Sequence, residues 1–190
     1  MASNAYTSYL LLLLADAKEI DVAHQSLRTG QVGRQWRLGA LNRAAVVMCL
    51  SAWEAYIEEV TKEAVECFRP AAPHQSPWQS INANARSQIG RFNNPNVNNV
   101  RTLIADTLGL QDITQHWYWQ RTSAQQARDR LTEAINFRHQ VAHGVNPRPT
   151  IHNSYSQGLP DFFRRLGERT DFGIRDYLVT ILQVPNPWPA

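Results

Sequence analysis

Cysteine is scarce in this sequence, and long apolar runs are missing. Only two cysteines, Cys49 and Cys67, occur among its 190 residues, which excludes a disulfide framework and a zinc site of the CxxC type and favours a reducing compartment. The longest apolar runs, residues 10–15 and 44–53, are far shorter than the roughly 18 residues that suggest a membrane span. Because the first residues also lack the basic segment of a secretory signal, we expect a soluble, cytoplasmic protein with no membrane partner.

Several signatures of catalysis and nucleotide binding are absent as well. The sequence has no GxxxxGK[ST] or GxGxxG loop for phosphates, no GxSxG nucleophile turn and no cysteine beside a histidine. Neither cysteine has the basic neighbours that would make its thiol a nucleophile. The sequence therefore predicts no bound cofactor and points away from these enzyme classes.

Lysine is nearly absent, whereas arginine is abundant. Seventeen of the nineteen basic residues are arginine, and the net charge is +3 with an isoelectric point of about 9.1. The planar guanidinium is suited to bidentate contacts with phosphate, but the codon usage of a GC-rich genome explains an arginine excess equally well. A mild positive charge permits a nucleic-acid partner without requiring one.

Apolar residues recur at spacings of three and four along much of the chain, which is the period of an α-helix. No strand-like alternation, internal repeat or domain boundary interrupts this pattern. The sequence predicts an all-α fold: one domain over residues 1–190, a bundle of four or five principal up-down helices with short extra helices, and an irregular tail over 185–190. The predicted helices cover residues 5–27, 35–68, 81–92, 98–110, 124–143, 159–166 and 172–184, and the predicted loops cover 70–77, 93–96 and 147–158.

The residues best suited to chemistry concentrate at the end of the fifth predicted helix, in positions 136–144. Arg138, His139 and His143 lie there within six positions, next to the predicted helix C-terminus. An arginine can hold a phosphate and stabilise the extra charge that it gains in a transition state, and a histidine can move a proton near neutral pH. Together they suffice to cut RNA without a metal, because the ribose 2′-hydroxyl is itself the nucleophile.

The segment Arg138-His139-Gln140-Val141-Ala142-His143 resembles the R-[N/D/H]-x-x-x-H signature of HEPN domains, helical bundles that occur in many prokaryotic toxins and antiviral RNases. In the second predicted helix, Trp53-Glu54-Ala55-Tyr56 resembles the Trp-Glu-x-Tyr/Phe segment of the RiboL-PSP-type HEPN subfamily. The order of long early helices, a variable middle, the arginine–histidine helix and a closing helix is also similar to that group.

The resemblance implies a metal-independent endoribonuclease that leaves a 2′,3′-cyclic phosphate, and a homodimer whose two motifs face each other across a cleft. It also implies that Arg138 contacts the phosphate, that His143 acts as acid and base, and that His139 orients the pair. Arg138 and His143 are about 140° apart around an ideal helix. One phosphate is more easily surrounded if two copies of the helix contribute, or if the helix unwinds near Gly144. A symmetric dimer supplies the two copies.

Simpler interpretations of the same residues stay open. Arg138 could pair with Glu133 or with another acidic residue, and His143 could be only a helix cap. His139 and His143 are four residues apart and could hold a metal from one helical face. No third ligand has suitable spacing, so we predict no metal site.

Four further residues are assigned to RNA binding on weaker grounds. Glu54 departs from the apolar stripe of its helix and could lie near the cleft, although a solvated helix face explains it too. Arg121, Arg128 and Arg130 precede the motif and could extend a phosphate-binding surface or form an ordinary solvated face.

Three functions are consistent with this sequence. The first is an RNase of the HEPN type, acting as a dimer on RNA in defence or stress response. The second is a non-catalytic HEPN-like dimer that binds RNA or a protein partner, such as an antitoxin or another regulator. The third is a structural helical dimer in which Arg138 is ion-paired away from any groove.

Overall fold

The structure is a computed structural model that describes residues 2–28, 36–69, 75–143 and 151–188. In these ranges the regular elements are helices, and strand pairing is limited to one isolated bridge between Trp119 and Thr122. A π-helical turn, Ala5–Leu10, leads directly into α1, and a 3-10 turn, Ile113–His116, precedes α5. The all-α prediction is confirmed, with four long helices and two shorter ones. The α-helices are α1 Leu11–Ser26, α2 Trp36–Glu66, α3 Gln75–Ile89, α4 Val97–Leu108, α5 Ala124–His143 and α6 Asn153–Thr180.

Helix α2 is the central element of the bundle, and each of the other α-helices packs against it. Its middle carries Trp53 and Tyr56, which are fully buried. The ring of Trp53 lies 5.6 Å from that of Tyr56, 5.9 Å from that of Trp117 and 6.0 Å from that of Phe163. These aromatic contacts contribute packing beyond simple area burial. The contacts with Trp117 and Phe163 come from other elements and hold this face of α2 against the core. Glu54 directly follows Trp53 on the helix.

Helix α6 differs from the prediction. The sequence predicts a loop up to residue 158 and then two short helices, 159–166 and 172–184, whereas Asn153–Thr180 is one continuous helix. Gly167 lies between the two predicted helices and Gly173 near the start of the second, and both allow close packing. A Cβ at Gly173 would lie 2.7 Å from His116 Cγ, and one at Gly167 would collide with Leu10. The missing side chains therefore let neighbouring elements approach the helix instead of ending it.

The shorter helices depart from the prediction mainly at their ends. Helix α3 begins at Gln75, so Pro77 lies in its first turn and not in a loop; proline is tolerated there because first-turn N–H groups have no intrahelical acceptor. Helix α4 ends at Leu108, and the next residue, Gly109, caps it with a φ of 83°, the left-handed conformation favoured by glycine. Ser123 caps the N-terminus of α5: its Oγ accepts from the N–H of Gln126 at 3.2 Å, and Gln126 Oε1 accepts from the N–H of Ser123 at 2.8 Å.

Residues 185–188, part of the predicted tail, form no helix. Residues 189 and 190 of the predicted tail and positions 70–74 and 147–150 of the predicted loops lie outside the described residues. No helix in the described ranges combines the length and the apolar character needed to cross a membrane.

Candidate functional site

Arg138 lies near the C-terminal end of α5 and is held by two other parts of the fold. Its Nη1 donates to Glu54 Oε2 at 3.2 Å, and its Nη2 donates to Asn94 Oδ1 at 3.1 Å. The Arg138 and Glu54 side chains keep 19% and 24% of their surface exposed. The guanidinium is thus fixed in orientation while it remains accessible from solvent.

The buried core places these three residues together. Trp53 Nε1 donates to Pro95 O at 3.1 Å, which anchors the turn at residues 93–96 to α2. Asn99 Nδ2 donates to Asn94 O at 2.8 Å and holds that turn from the side of α4. Because Glu54 directly follows Trp53 on α2, the same helix segment both anchors the turn and supplies the carboxylate.

Arg138, Glu54 and Asn94 form what we call the Arg138 cluster. Its contacts orient the guanidinium of Arg138 more than they stabilise the fold. A half-buried ion pair contributes little net free energy, because the loss of hydration offsets much of its Coulomb attraction. The contacts with Glu54 and Asn94 engage one N–H on each terminal nitrogen, and a guanidinium carries five N–H groups in a planar fork. The arrangement can therefore hold Arg138 rigidly and still present N–H groups to an anion.

The two histidines of the motif are described unequally. His139 follows Arg138 on α5 and is half-buried. His143 is the last residue of α5, and its side chain lies outside the described residues.

The other predicted arginines do not join this cluster. Arg128 Nη1 donates to Thr114 Oγ1 at 3.2 Å. Arg130 Nη2 donates to Gly158 O at 3.1 Å, and its guanidinium lies 4.9 Å from the centre of the Phe162 ring. Arg121 is exposed in the turn before α5, with a φ of 65°. Arg128 and Arg130 precede Arg138 by ten and eight residues, about 15 and 12 Å along the helix.

Asn94 is the contact that sequence reasoning missed. Its surroundings, with Asn93, Pro95 and Asn96, were predicted only as a turn, and that prediction is confirmed. Asn94 and Arg138 are 44 residues apart, and no local pattern connects them. The interpretation of Arg138 as an ion-pair partner is also confirmed, although the partner is Glu54 and not Glu133.

Among the described residues, no group of three or more potential metal ligands lies close together.

The family comparison agrees with the geometry. The family model described as RiboL-PSP-HEPN matches residues 12–171, which is most of the chain. The chain belongs to the RiboL-PSP-HEPN family. The matched part of this RiboL-PSP-HEPN chain includes Glu54, Asn94 and Arg138, so the cluster lies within the family's own fold. No curated protein and no solved structure matches the chain. HEPN domains are associated with nuclease and other RNA-related functions, and the family predicted from the two sequence segments is confirmed.

Proposed function

We propose that this protein is a metal-independent endoribonuclease of the HEPN type. The observation that carries the proposal is the position of Arg138, a partly exposed arginine whose guanidinium is fixed by Glu54 and Asn94. A guanidinium held in this way can bind a phosphodiester without first losing its conformational freedom, which is how preorganised donors lower a barrier. His143 ends the same helix five residues later.

The proposed reaction is an internal transfer within the RNA. The ribose 2′-oxygen forms a bond to phosphorus, the bond from phosphorus to the 5′-oxygen breaks, and the products are a 2′,3′-cyclic phosphate and a 5′-hydroxyl. A histidine takes the proton of the 2′-hydroxyl, and an acid delivers a proton to the leaving 5′-oxygen. We assign the proton transfers to His143, the phosphate contact to Arg138 and the orientation of the pair to His139.

Glu54 and Asn94 act as positioning residues in this proposal, because both hold the guanidinium of Arg138. The carboxylate of Glu54 balances the charge of Arg138 while the site is empty. When a phosphate arrives, the guanidinium binds two anionic groups from different sides, which its planar fork allows.

A homodimer completes the proposed site. Arg138 and His143 are about 140° apart around α5, so one helix does not direct both side chains at one phosphate unless it unwinds. A symmetric pair of helices supplies an arginine and a histidine from each side of a cleft. We propose that this arrangement cuts RNA in defence or stress response, under the control of an antitoxin or another regulatory protein, since an unregulated RNase would harm its host.

The ion pair also supports a second function. Arg138 already has a carboxylate partner within its own chain, as it would in a non-catalytic HEPN-like dimer that binds RNA or a protein. In that case the purified protein binds RNA but releases no cyclic-phosphate ends.

The test compares His143→Ala with His152→Ala, a control at the exposed start of α6 whose side chain makes no capping hydrogen bond. We expect His143→Ala to lower RNA cleavage about 100-fold or more, with the helical circular dichroism unchanged, and His152→Ala to remain active. EDTA should not inhibit the wild type, and sedimentation should show a dimer. Full activity in His143→Ala would remove the proposal.

A further inference from the structure

A second basic site lies at the opposite end of α5, around a cavity of about 560 Å³. Arg101 of α4 and Arg128 of α5 both line this cavity. The two residues belong to different helices, so their convergence comes from the fold and not from the sequence. The remaining lining residues are Asp112, Thr114, Gln115 and Ala124.

Arg128 is held in place by uncharged partners. Its Nη1 donates to Thr114 Oγ1 at 3.2 Å, and its Nη2 donates to Gln125 Oε1 at 2.9 Å. Arg101 Nη2 reaches Asn98 Oδ1 at 3.4 Å. Within the part of the chain that the structure describes, neither guanidinium forms an ion pair with a carboxylate, in contrast to Arg138.

Asp112 is the one acidic group that lines the cavity. Its Oδ1 accepts from the N–H of Thr114 at 3.0 Å and from Thr114 Oγ1 at 2.6 Å. Thr114 in turn accepts from Arg128, so Asp112 supports Arg128 through the threonine hydroxyl. Two guanidinium groups and one carboxylate leave the cavity with a net positive charge, which suits an anionic group with several oxygens.

Two elements connect the cavity with the Arg138 cluster: α5, and the segment that leads from Asn94 into α4. Along α5, Arg128 lies about 15 Å from Arg138 and about a quarter turn around the helix. On the neighbouring side, Asn94 contacts Arg138. Arg101, seven residues later on α4, lines the cavity. A single RNA strand of a few nucleotides could therefore contact both places along the surface formed by α4 and α5.

We propose that the Arg101–Arg128 cavity binds a backbone phosphate of the RNA strand whose scissile phosphate lies at Arg138. This inference rests on the proposed function, because it takes RNA as the substrate. Arg101 had no predicted role in RNA binding. Of the three arginines assigned to RNA binding from the sequence, Arg128 is the one that lines this cavity. The cavity binds phosphate and not bases, so it should increase affinity for longer RNA without selecting a sequence.

The test measures binding and cleavage separately in Arg101→Gln, Arg128→Gln and the double variant. Arg165→Gln is the matched control, since Arg165 is an exposed arginine of α6 that pairs with Glu168. Fluorescence anisotropy with a 2′-O-methyl RNA 12-mer, which has no free 2′-hydroxyl and cannot be cut, gives the Kd at several salt concentrations. Initial rates on an unmodified 12-mer and on a dinucleotide, which is too short to span both places, give kcat/KM.

We expect each single variant to weaken 12-mer binding about 10-fold and to lower the slope of log Kd against log salt by about one unit or slightly less. The value of kcat/KM should fall for the 12-mer and stay unchanged for the dinucleotide, and Arg165→Gln should behave as the wild type. Unchanged Kd and salt slope in the double variant, with its fold intact, would overturn this inference and leave the proposed function standing. Conversely, a wild type that binds RNA through these arginines but never cuts it would contradict the proposed function and support the cavity as an RNA-binding site.

Discussion

Two polar clusters join distant parts of this chain, and they differ in their access to water. Near the N-terminus, the backbone N–H and the hydroxyl of Ser3 donate to the carboxylate of Asp171 on α6. Ser3 is fully buried and Asp171 is only 4% exposed. The Arg138 cluster joins parts of the chain that are 44 and 84 residues apart, yet Arg138 and Glu54 both keep about a fifth of their surface exposed.

The difference separates a structural role from a functional one. A sealed cluster can stabilise the fold but cannot receive a ligand, whereas an open cluster gains less stability from its ion pair and can bind an anion. We therefore expect substitutions at Asp171 to change stability and substitutions around Arg138 to change activity. Four measurements test whether the first cluster is structural and the second functional.

The largest effect is expected at Arg138. Arg138→Ala should lower RNA cleavage at least about 100-fold, because it removes the donor group that stabilises the charged phosphate. The midpoint of thermal unfolding should change little, since Glu54 can be hydrated after its partner is lost. Arg165→Ala serves as the control for the loss of one exposed arginine. A large fall in the unfolding midpoint would instead identify Arg138 as a structural residue.

Asp171→Ala should lower the stability of the fold and leave the activity of the folded protein unchanged. It leaves the buried N–H and hydroxyl of Ser3 without their acceptor, so we expect the free energy of unfolding to fall by about 1–3 kcal/mol. Chemical denaturation measures this change, and Asp176→Ala, an exposed position on the same helix, is the control. The activity of the folded fraction should equal that of the wild type; a selective loss of catalysis would break the comparison.

Glu54→Gln and Asn94→Ala should have an intermediate effect on activity. Each variant loosens the guanidinium without removing it, and we expect kcat to fall about 10-fold in each. In the background of Arg138→Ala neither change should reduce activity further, because residues that act through the same group are not additive. Glu19→Gln, on the exposed face of α1, controls for the loss of one negative charge. Additive losses would show that Glu54 or Asn94 acts independently of Arg138.

The smallest effect concerns the pH dependence of stability. Burial raises the pKa of Asp171, and the hydrogen bonds from Ser3 offset only part of this rise. The folded protein therefore keeps a proton at Asp171 that the unfolded chain loses near pH 4. The resulting stabilisation is present in acid and is lost as the pH rises through the raised pKa.

Asp171→Asn cannot titrate at this position. We expect the difference in unfolding free energy, wild type minus Asp171→Asn, to fall as the pH increases above about 4. Denaturant titrations of both proteins at several pH values measure it, with Asp176→Asn as the control. A difference that rises with pH would mean that the fold favours the charged carboxylate.

Much of the fold could be predicted from local sequence patterns. The periodicity over α2 and α5 and the cap at Ser123 depend on residues close together in the chain. Helix α6 could not be predicted in the same way. Gly167 and Gly173 are explained only by the elements that pack on them, and those contacts come from Leu10 and His116.

The candidate site shows the same limit. The type of chemistry could be inferred from Arg138, His139 and His143, because arginine and histidine have specific properties wherever they occur. The partners of Arg138 could not be identified individually, since Asn94 and Glu54 approach it across 44 and 84 residues. Glu54 has a local signal, since it departs from the apolar stripe of α2, whereas Asn94 has none.

The most direct test of the central claim is the identity of the RNA ends that the purified protein produces in EDTA. If Arg138 stabilises the phosphate while the 2′-hydroxyl attacks it, the products carry a 2′,3′-cyclic phosphate and a 5′-hydroxyl, and both disappear in Arg138→Ala. Ends with a 5′-phosphate, or cyclic-phosphate ends formed at the wild-type rate by Arg138→Ala, would contradict the account.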